Sequence, residues 1–345
     1  MKKLSICIPS YHRFQALAVT IQSILSAKSS DFDVWIVDNQ SPVDIEEAIT
    51  QRDERLHLVK REAAVYGPNN VCSCVAFGDG EFSLLLLDKD TLSGEDLDKF
   101  IQYLSTLPSD VQGGYCALDH ASSLGENQLV AKNAVLSYGY LNKHPSGEFY
   151  RTETAKDILS KMSEKMKDNP FSYDLLLTEC AARGAMATYQ QPMIKTANIN
   201  QLPGNEQKSL AFRADDHTLF FHPENRMKNL AVYAEHMQDL PISKDIYEQM
   251  LWTVYKRTLV EATFGYRDIM SNSVICEHYH THARKVDAAE MDMWAEKVQE
   301  AFADLNIDEG IKKQLLPKGK RYFYLKKFAR KIRRPLSVVK HMIKG

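Results

Sequence analysis

Leu4-Ser-Ile-Cys-Ile-Pro-Ser-Tyr-His-Arg13 starts as an apolar run and ends in polar residues, and the two segments after it decide the architecture. Leu4–Ile8 reads as a short buried strand. Phe14, Leu17, Ala18, Ile21, Ile24 and Leu25 then recur at helical period across Phe14–Lys28, and Phe32–Val37 is a second buried strand. Strand, helix and strand in that order predict a parallel, right-handed βαβ unit.

Further strands are expected at Leu56–Lys60 and Phe82–Leu87. Ser93-x-x-Asp96 caps a helix carrying Leu97, Phe100, Ile101 and Leu104. Residues 1–105 thus read as a doubly wound α/β half. The next stretch is less regular, with a turn at Gly113-Gly114, strands near Tyr115–Leu118 and Val130–Tyr138, and a loop at His144-Pro-Ser-Gly147. Helices are expected over Thr154–Met166 and Tyr173–Ala182, the second closed by Gly184 as a C-cap. From Pro223 the pattern is that of amphipathic helices alone. The domain reading is 1–220 as one α/β domain (1–105 and 106–220 as its halves), 221–311 as a helical region and 312–345 as a tail.

In an open parallel sheet, ligands bind beyond the carboxyl ends of the strands. Three polar clusters stand there: Pro9-Ser10-Tyr11 with Arg13, Asp38-Asn39-Gln40-Ser41, and Asp88-Lys89-Asp90. Two carboxylates one residue apart, at the end of an apolar strand, suit a hard divalent cation that keeps room for a substrate's own oxygens. No G-x-G-x-x-G and no G-x-x-x-x-G-K-[ST] occurs, so neither a dinucleotide fingerprint nor a P-loop is supported.

Leu4-Ser-Ile-Cys-Ile-Pro-Ser-Tyr-His-Arg13, Trp35-Ile-Val-Asp-Asn-Gln-Ser41 and Gly80-Glu-Phe-Ser-Leu-Leu-Leu-Leu-Asp-Lys-Asp90 resemble the three ordered signatures of family-two glycosyltransferases of the bacterial surface-polysaccharide type. The resemblance implies the GT-A fold, a mostly parallel sheet with flanking helices. It also implies a nucleotide-diphospho-sugar donor, a UDP-sugar as the family's commonest, and transfer with inversion. Carried over, Pro9, Tyr11 and Arg13 line the nucleotide pocket, Asp38 bonds the base, Asp88 lies by ribose and sugar, and Asp90 ligates Mn2+ or Mg2+. Lys89 stands where the family often has another Asp. An inverting transfer also needs a carboxylate to take the acceptor hydroxyl's proton. Phe171-Ser-Tyr-Asp174 resembles the segment that carries it, which points to Asp174, with a helix N-cap as its structural alternative and Glu179 as second choice. His217 is the expected histidine of the metal shell. His278, His280 and His282 read as a surface or interface cluster.

Charge divides the chain. The 345 residues carry 43 Lys+Arg and 45 Asp+Glu, yet from Lys312 to Gly345 there are 13 basic and no acidic residues, so residues 1–311 hold 30 basic against 45 acidic. Leu325, Phe328, Ala329 and Ile332 at helical spacing among Lys and Arg, with Tyr322, Phe323 and Tyr324 as anchors, read as a basic amphipathic helix for an anionic membrane surface. An acidic body argues against nucleic acid; packing on a partner subunit is the alternative. The expected acceptor is a saccharide, lipid-linked, at the cytoplasmic face of the cell membrane. Six scattered cysteines suit a reducing compartment. No apolar run reaches the length of a spanning helix, and the short run at Met1–Pro9 is no secretion signal. The competing functions are a sugar-nucleotide nucleotidyltransferase, which would want a Gly-rich N-terminal loop, and an inactive scaffold of the same fold.

Overall fold

Every residue of the strand β1 (Leu4–Ser10) is buried, as a strand covered on both faces by helices requires. The computed structural model describes residues 1–119, 126–141, 143–197 and 219–342, with backbone alone at 48, 278 and 331–342. The chain divides into two compact units, Met1–Leu210 and Ala211–Gly345.

In the first unit β1 leads through α1 (Phe14–Leu25) to β2 (Phe32–Asp38), and β1 and β2 are parallel with Leu4 opposite Phe32 and Ser10 opposite Asp38. The βαβ reading therefore holds. α2 (Ile45–Ala48), β3 (Leu56–Lys60), α3 (Gly67–Ser73) and a 3-10 turn precede β4 (Phe82–Leu85), which lies parallel on the other side of β1. The short β5 (Thr91–Leu92) leads to α4 (Gly94–Leu104), whose N-cap Ser93 accepts from the Asp96 amide. Then come β6 (Val111–Leu118), β7 (Gln128–Val130), α5 (Val135–Tyr138), β8 (Glu148–Arg151), α6 (Thr152–Lys161), α7 (Glu164–Lys167), α8 (Ser172–Arg183) and β9 (Ala185–Lys195). The sheet runs β3-β2-β1-β4-β8-β6-β9-β5, with β7 on β9. β8 is antiparallel to both β4 and β6, so β6 and β9 regain the direction of β1 to β4. This is an α/β fold with a mostly parallel sheet. One face of the sheet buries Ile6, Ile8, Phe82, Phe100 and Phe149 in a common core with α1 and α4.

Four local expectations are corrected. Gly113-Gly114 is not a turn but the interior of β6. A Cβ on Gly114 would lie 1.8 Å from the Ala187 carbonyl oxygen, so glycine is what lets β6 and β9 close together. Val130–Tyr138 is not one strand: β7 ends at Val130, and Val135–Tyr138 is a helical turn. The helix read over Thr154–Met166 is broken where Ser163 caps a second one. Gly184 is extended, with φ −175°, and is not a left-handed cap. β9 had no counterpart in the sequence reading.

In the second unit α9 (Pro223–Gln238), α10 (Lys244–Val260), a π-helical turn at Glu261–Gly265, α11 (Tyr266–Met270), α12 (Ser273–His278), α13 (Ala288–Ala303) and α14 (Glu309–Met342) pack together. Their core includes Phe221, Phe264, Tyr266, Met291, Trp294 and Phe323. Phe323 thus belongs to the core, and so does Leu315. The first half of the basic segment is a packed element of this unit. No helix among the described residues is long and apolar enough to cross a membrane. All six cysteines are unpaired and buried, and burial pushes Cys7 and Cys72 up to about 12.

Candidate active site

The parallel register of β1 and β2 brings their exits to one edge, where the Asn39 amide bonds the Ser10 carbonyl at 2.9 Å. Asp38, fully buried, accepts from the Ser41 amide at 3.1 Å and from the Ser41 hydroxyl. That hydroxyl accepts in turn from the His12 amide at 2.9 Å. His12 (φ 56°) and Gln40 (φ 62°) are left-handed, a conformation that costs non-glycine residues about 1 kcal/mol or more and is held here by these bonds. Pro9 is buried below this turn, while Tyr11 is 54% exposed and its ring is accessible for stacking.

β4 delivers the third cluster. Arg13 donates from Nη1 to Asp88 Oδ1 at 2.7 Å, the carboxylate being almost sealed from solvent. Burial pushes Asp88 upward and outweighs the opposite pull of Arg13. The Thr20 hydroxyl of α1 lies 3.2 Å from the Asp88 carbonyl oxygen and 2.9 Å from that of Asp90, tying the loop to the helix. Asp90 is fully buried. Its Oδ2 accepts from the Ser146 hydroxyl at 2.5 Å, and its Oδ1 from the Ala197 amide at 3.0 Å and Lys89 Nζ at 3.3 Å. His144 Nε2 lies 3.7 Å from Oδ2. Ringed by an ammonium, an imidazole and two neutral donors, the Asp90 carboxylate sits among groups that favour negative charge, and its hard oxygens are of the type that suits Mn2+ or Mg2+. Among the described residues no group of three or more His, Cys, Asp or Glu side chains is placed to hold a metal ion. His217 lies outside the described residues.

Asp174 sits in the first turn of α8, fully buried. Phe171 holds the N-cap position, so Asp174 is not the cap; its charge is favoured by the helix N-terminus instead. Across from α8, Glu148 of β8 is fully buried and accepts from the Tyr150 hydroxyl, while its Oε1 has no hydrogen-bond partner among the described residues. Burial, and then the field of Asp174, push Glu148 well above the usual carboxylate range against the pull of Tyr150 and Lys143. Lys143, driven down by burial and held up by Glu148 and Asp174, lies over the Tyr115 ring at 4.4 Å. Tyr115 is raised by burial, then by Glu148, Cys116 and Asp90, so its phenol feels both acidic groups. Gly147 sits in the turn just before β8 with φ 101°, and a Cβ there would meet the Cys116 carbonyl oxygen at 2.9 Å. Glu179 instead pairs with Arg183 at 2.9 Å.

The structure therefore gathers Arg13, Asp38, Asp88 and Asp90 at the strand exits. It also adds Ser146, from the loop His144-Pro-Ser-Gly147 that by position reads as an acceptor or donor-lid segment, and Glu148 and Lys143, which sequence reasoning passed over as site residues. Glu148 left little signal, an acid after Pro-Ser-Gly at the head of the short strand Glu-Phe-Tyr-Arg. Residues 5–117 match the model described as glycosyl transferase family 2. The chain carries a family 2 glycosyltransferase domain. No curated protein matches the sequence. Among solved structures, a fragment of TarS from S. aureus is similar at 14% identity, over 94% of this chain and 88% of that one, with a TM-score of 0.59. The same fragment with UDP-GlcNAc gives 13% and 0.58 over the same shares. The mannosyltransferase PcManGT from Pyrobaculum calidifontis, with GDP-Man and Mn2+, gives 11% and 0.50 over 93% and 85%. At such identities the likeness shows the fold, which is GT-A.

Proposed function

We propose that this glycosyltransferase moves one sugar from a nucleotide-diphospho-sugar, a UDP-sugar by preference, to a saccharide acceptor with inversion at the anomeric carbon. The observation that carries the reading is the meeting of Arg13, Asp38, Asp88 and Asp90 at the carboxyl ends of adjacent parallel strands. Pro9, Tyr11 and Arg13 would hold the nucleotide, Asp38 its base, and Asp88 the ribose and sugar. The similar structures with UDP-GlcNAc and with GDP-Man and Mn2+ support a donor of this class.

Asp90 would hold Mn2+ or Mg2+, with His217 as the proposed second ligand. When bound, the cation supplies positive charge for the leaving diphosphate. The acceptor hydroxyl oxygen attacks the anomeric carbon as the bond to the diphosphate breaks and its electron pair leaves with the phosphate oxygen. Asp174 takes the hydroxyl proton, and Lys143 beside it keeps that carboxylate ionised until then. The acceptor is lipid-linked in this reading, a step of surface-glycan assembly at the cytoplasmic face of a membrane, with the basic segment 312–345 holding the protein there.

Calorimetric titration of UDP, CDP, GDP and dTDP, with and without Mn2+, tests it. One nucleotide binds in a metal-assisted manner, and Asp90→Ala weakens it by about tenfold or more, since even outer-shell partners of a metal carry that much. Asp174→Asn leaves this binding intact and slows transfer by about 10²–10⁴-fold. Silence from all four nucleotides would overturn the reading in favour of a scaffold.

A further inference from the structure

The helix α14 keeps Leu325 and Phe328, part of the apolar face its sequence pattern shows, on the outside, and it buries Phe323. Over 311–330 the residues packed inward are Ile311, Leu315, Gly319 and Phe323. A Cβ on Gly319 would meet the Tyr255 ring at 2.4 Å, and the Phe323 ring lies 5.6 Å from that of Phe264. Several of the cations also point inward. Lys327 is ion-paired with Asp292, Arg330 with Asp268 at 2.9 Å, and Lys318 lies over Trp252 at 4.2 Å. Outward stand Tyr324, Leu325 and Phe328, exposed by 49%, 58% and 64%. They succeed one another at i, i+1 and i+4, which makes one continuous strip. On the same outward side Lys313, Lys320 and Arg321 are exposed and form no ion pair among the described residues.

We propose that the Tyr324-Leu325-Phe328 strip is a wedge that enters the interfacial layer of an anionic bilayer, with Lys320 and Arg321 as its headgroup contacts, while Lys327 and Arg330 hold the helix to its own unit. A strip of aliphatic and aromatic side chains flanked by unpaired cations matches an apolar layer under anionic headgroups. A second copy fits worse, because a two-fold contact through this strip sets Lys320 and Arg321 against their own like charges. Nucleic acid has no use for the apolar part. The wedge rests on the proposed placement of the enzyme at a membrane, and its test reads binding and not catalysis.

The full chain is sedimented with vesicles of phosphatidylcholine containing or lacking anionic phosphatidylglycerol, and its melting temperature is read in parallel. Leu325→Ser with Phe328→Ser is expected to weaken binding to the anionic vesicles by about tenfold per side chain while leaving the melting temperature unchanged, since both side chains are exposed. Lys320→Ala with Arg321→Ala is expected to weaken it by about tenfold and to flatten its salt dependence. Lys327→Ala with Arg330→Ala does the reverse, lowering the melting temperature and leaving binding within about threefold of wild type. In Phe328→Trp, emission shifts to the blue on adding anionic vesicles. The proposal is overturned if the Leu325→Ser, Phe328→Ser chain binds as well as wild type. It is equally overturned if ultracentrifugation shows a dimer that those two substitutions dissociate.

Discussion

Glu148 and Asp174 are two acids shut away from water on neighbouring elements, and Lys143 lies close enough to offer both a compensating charge. Two ionised carboxylates in such a place repel, so the pair carries a proton, and the greater upward push falls on Glu148. In the unfolded chain Glu148 titrates near its ordinary 4.5. Folding therefore takes up a proton at any pH above that value and below the folded one. The consequence is a stability that falls as pH rises through this window, by up to about 1.4 kcal/mol per pH unit. Glu148→Gln keeps the shape of the protonated acid and cannot ionise. Its melting temperature is expected to vary less between pH 5 and 8 and to exceed that of the wild type at the upper end. Parallel curves would mean that Glu148 is ionised in the fold. If Asp174 is the base, the variant also narrows the pH profile of transfer, because the neighbour that shares its proton is gone.

At the scale of the element, what the sequence discloses is what its own neighbours dictate. β1, α1 and β2 are legible because apolar residues alternate or recur over a single stretch, and the register of one parallel pair then brings Ser10 and Asp38 to the same edge. Elements defined by distant partners are not. β9 reads Ala-Met-Ala-Thr-Tyr-Gln-Gln-Pro-Met-Ile-Lys, too polar in its middle to suggest a strand until β6 pairs with it. Gly113-Gly114 carries every local mark of a turn, and only the closeness of β9 explains it. That closeness can be tested. Gly114→Ala sets a methyl group against a backbone oxygen that cannot rotate away, so the β6–β9 pair must part. A loss of about 2–3 kcal/mol or more in denaturant unfolding is expected, against little change for Gly67→Ala, where nothing lies within 4 Å. The site obeys the same division. Asp38, Asp88 and Asp90 stand at strand ends the sequence shows, whereas Glu148 and Lys143 join through an antiparallel strand between β4 and β6 that nothing nearby in sequence implies. Phe323 belongs here too, since its neighbours in sequence set it with Tyr322 and Tyr324 as an anchor and only packing against Phe264 places it inside.

For the whole molecule, the separation of charge is the feature that most constrains use. Thirteen basic residues come after an acidic body of 30 basic and 45 acidic residues, so an anionic surface attracts one end of the chain and repels the rest. That end is not one piece. Up to 330 it is built into the second unit through Leu315, Phe323 and the pairs with Asp292 and Asp268. Beyond 330 stand five more cations, Lys331, Arg333, Arg334, Lys340 and Lys344. Two truncations therefore differ in kind. Removing 312–345 takes two large buried side chains from the core, at about 3 kcal/mol or more each. That total is comparable with the whole stability of an ordinary domain, about 5–15 kcal/mol. Its expected outcome is loss of the second unit's cooperative melting and early proteolysis there. Removing 331–345 spares those contacts and should leave the melting temperature unchanged. With about 1 kcal/mol carried by each cation near an anionic leaflet, the shorter deletion should still weaken vesicle binding at low salt by more than about tenfold. At about 0.5 M salt the difference from the full chain should nearly vanish, because the Debye length then falls to about 4 Å. Unchanged binding by the 331–345 deletion at low salt would confine attachment to the exposed strip and to Lys313, Lys320 and Arg321.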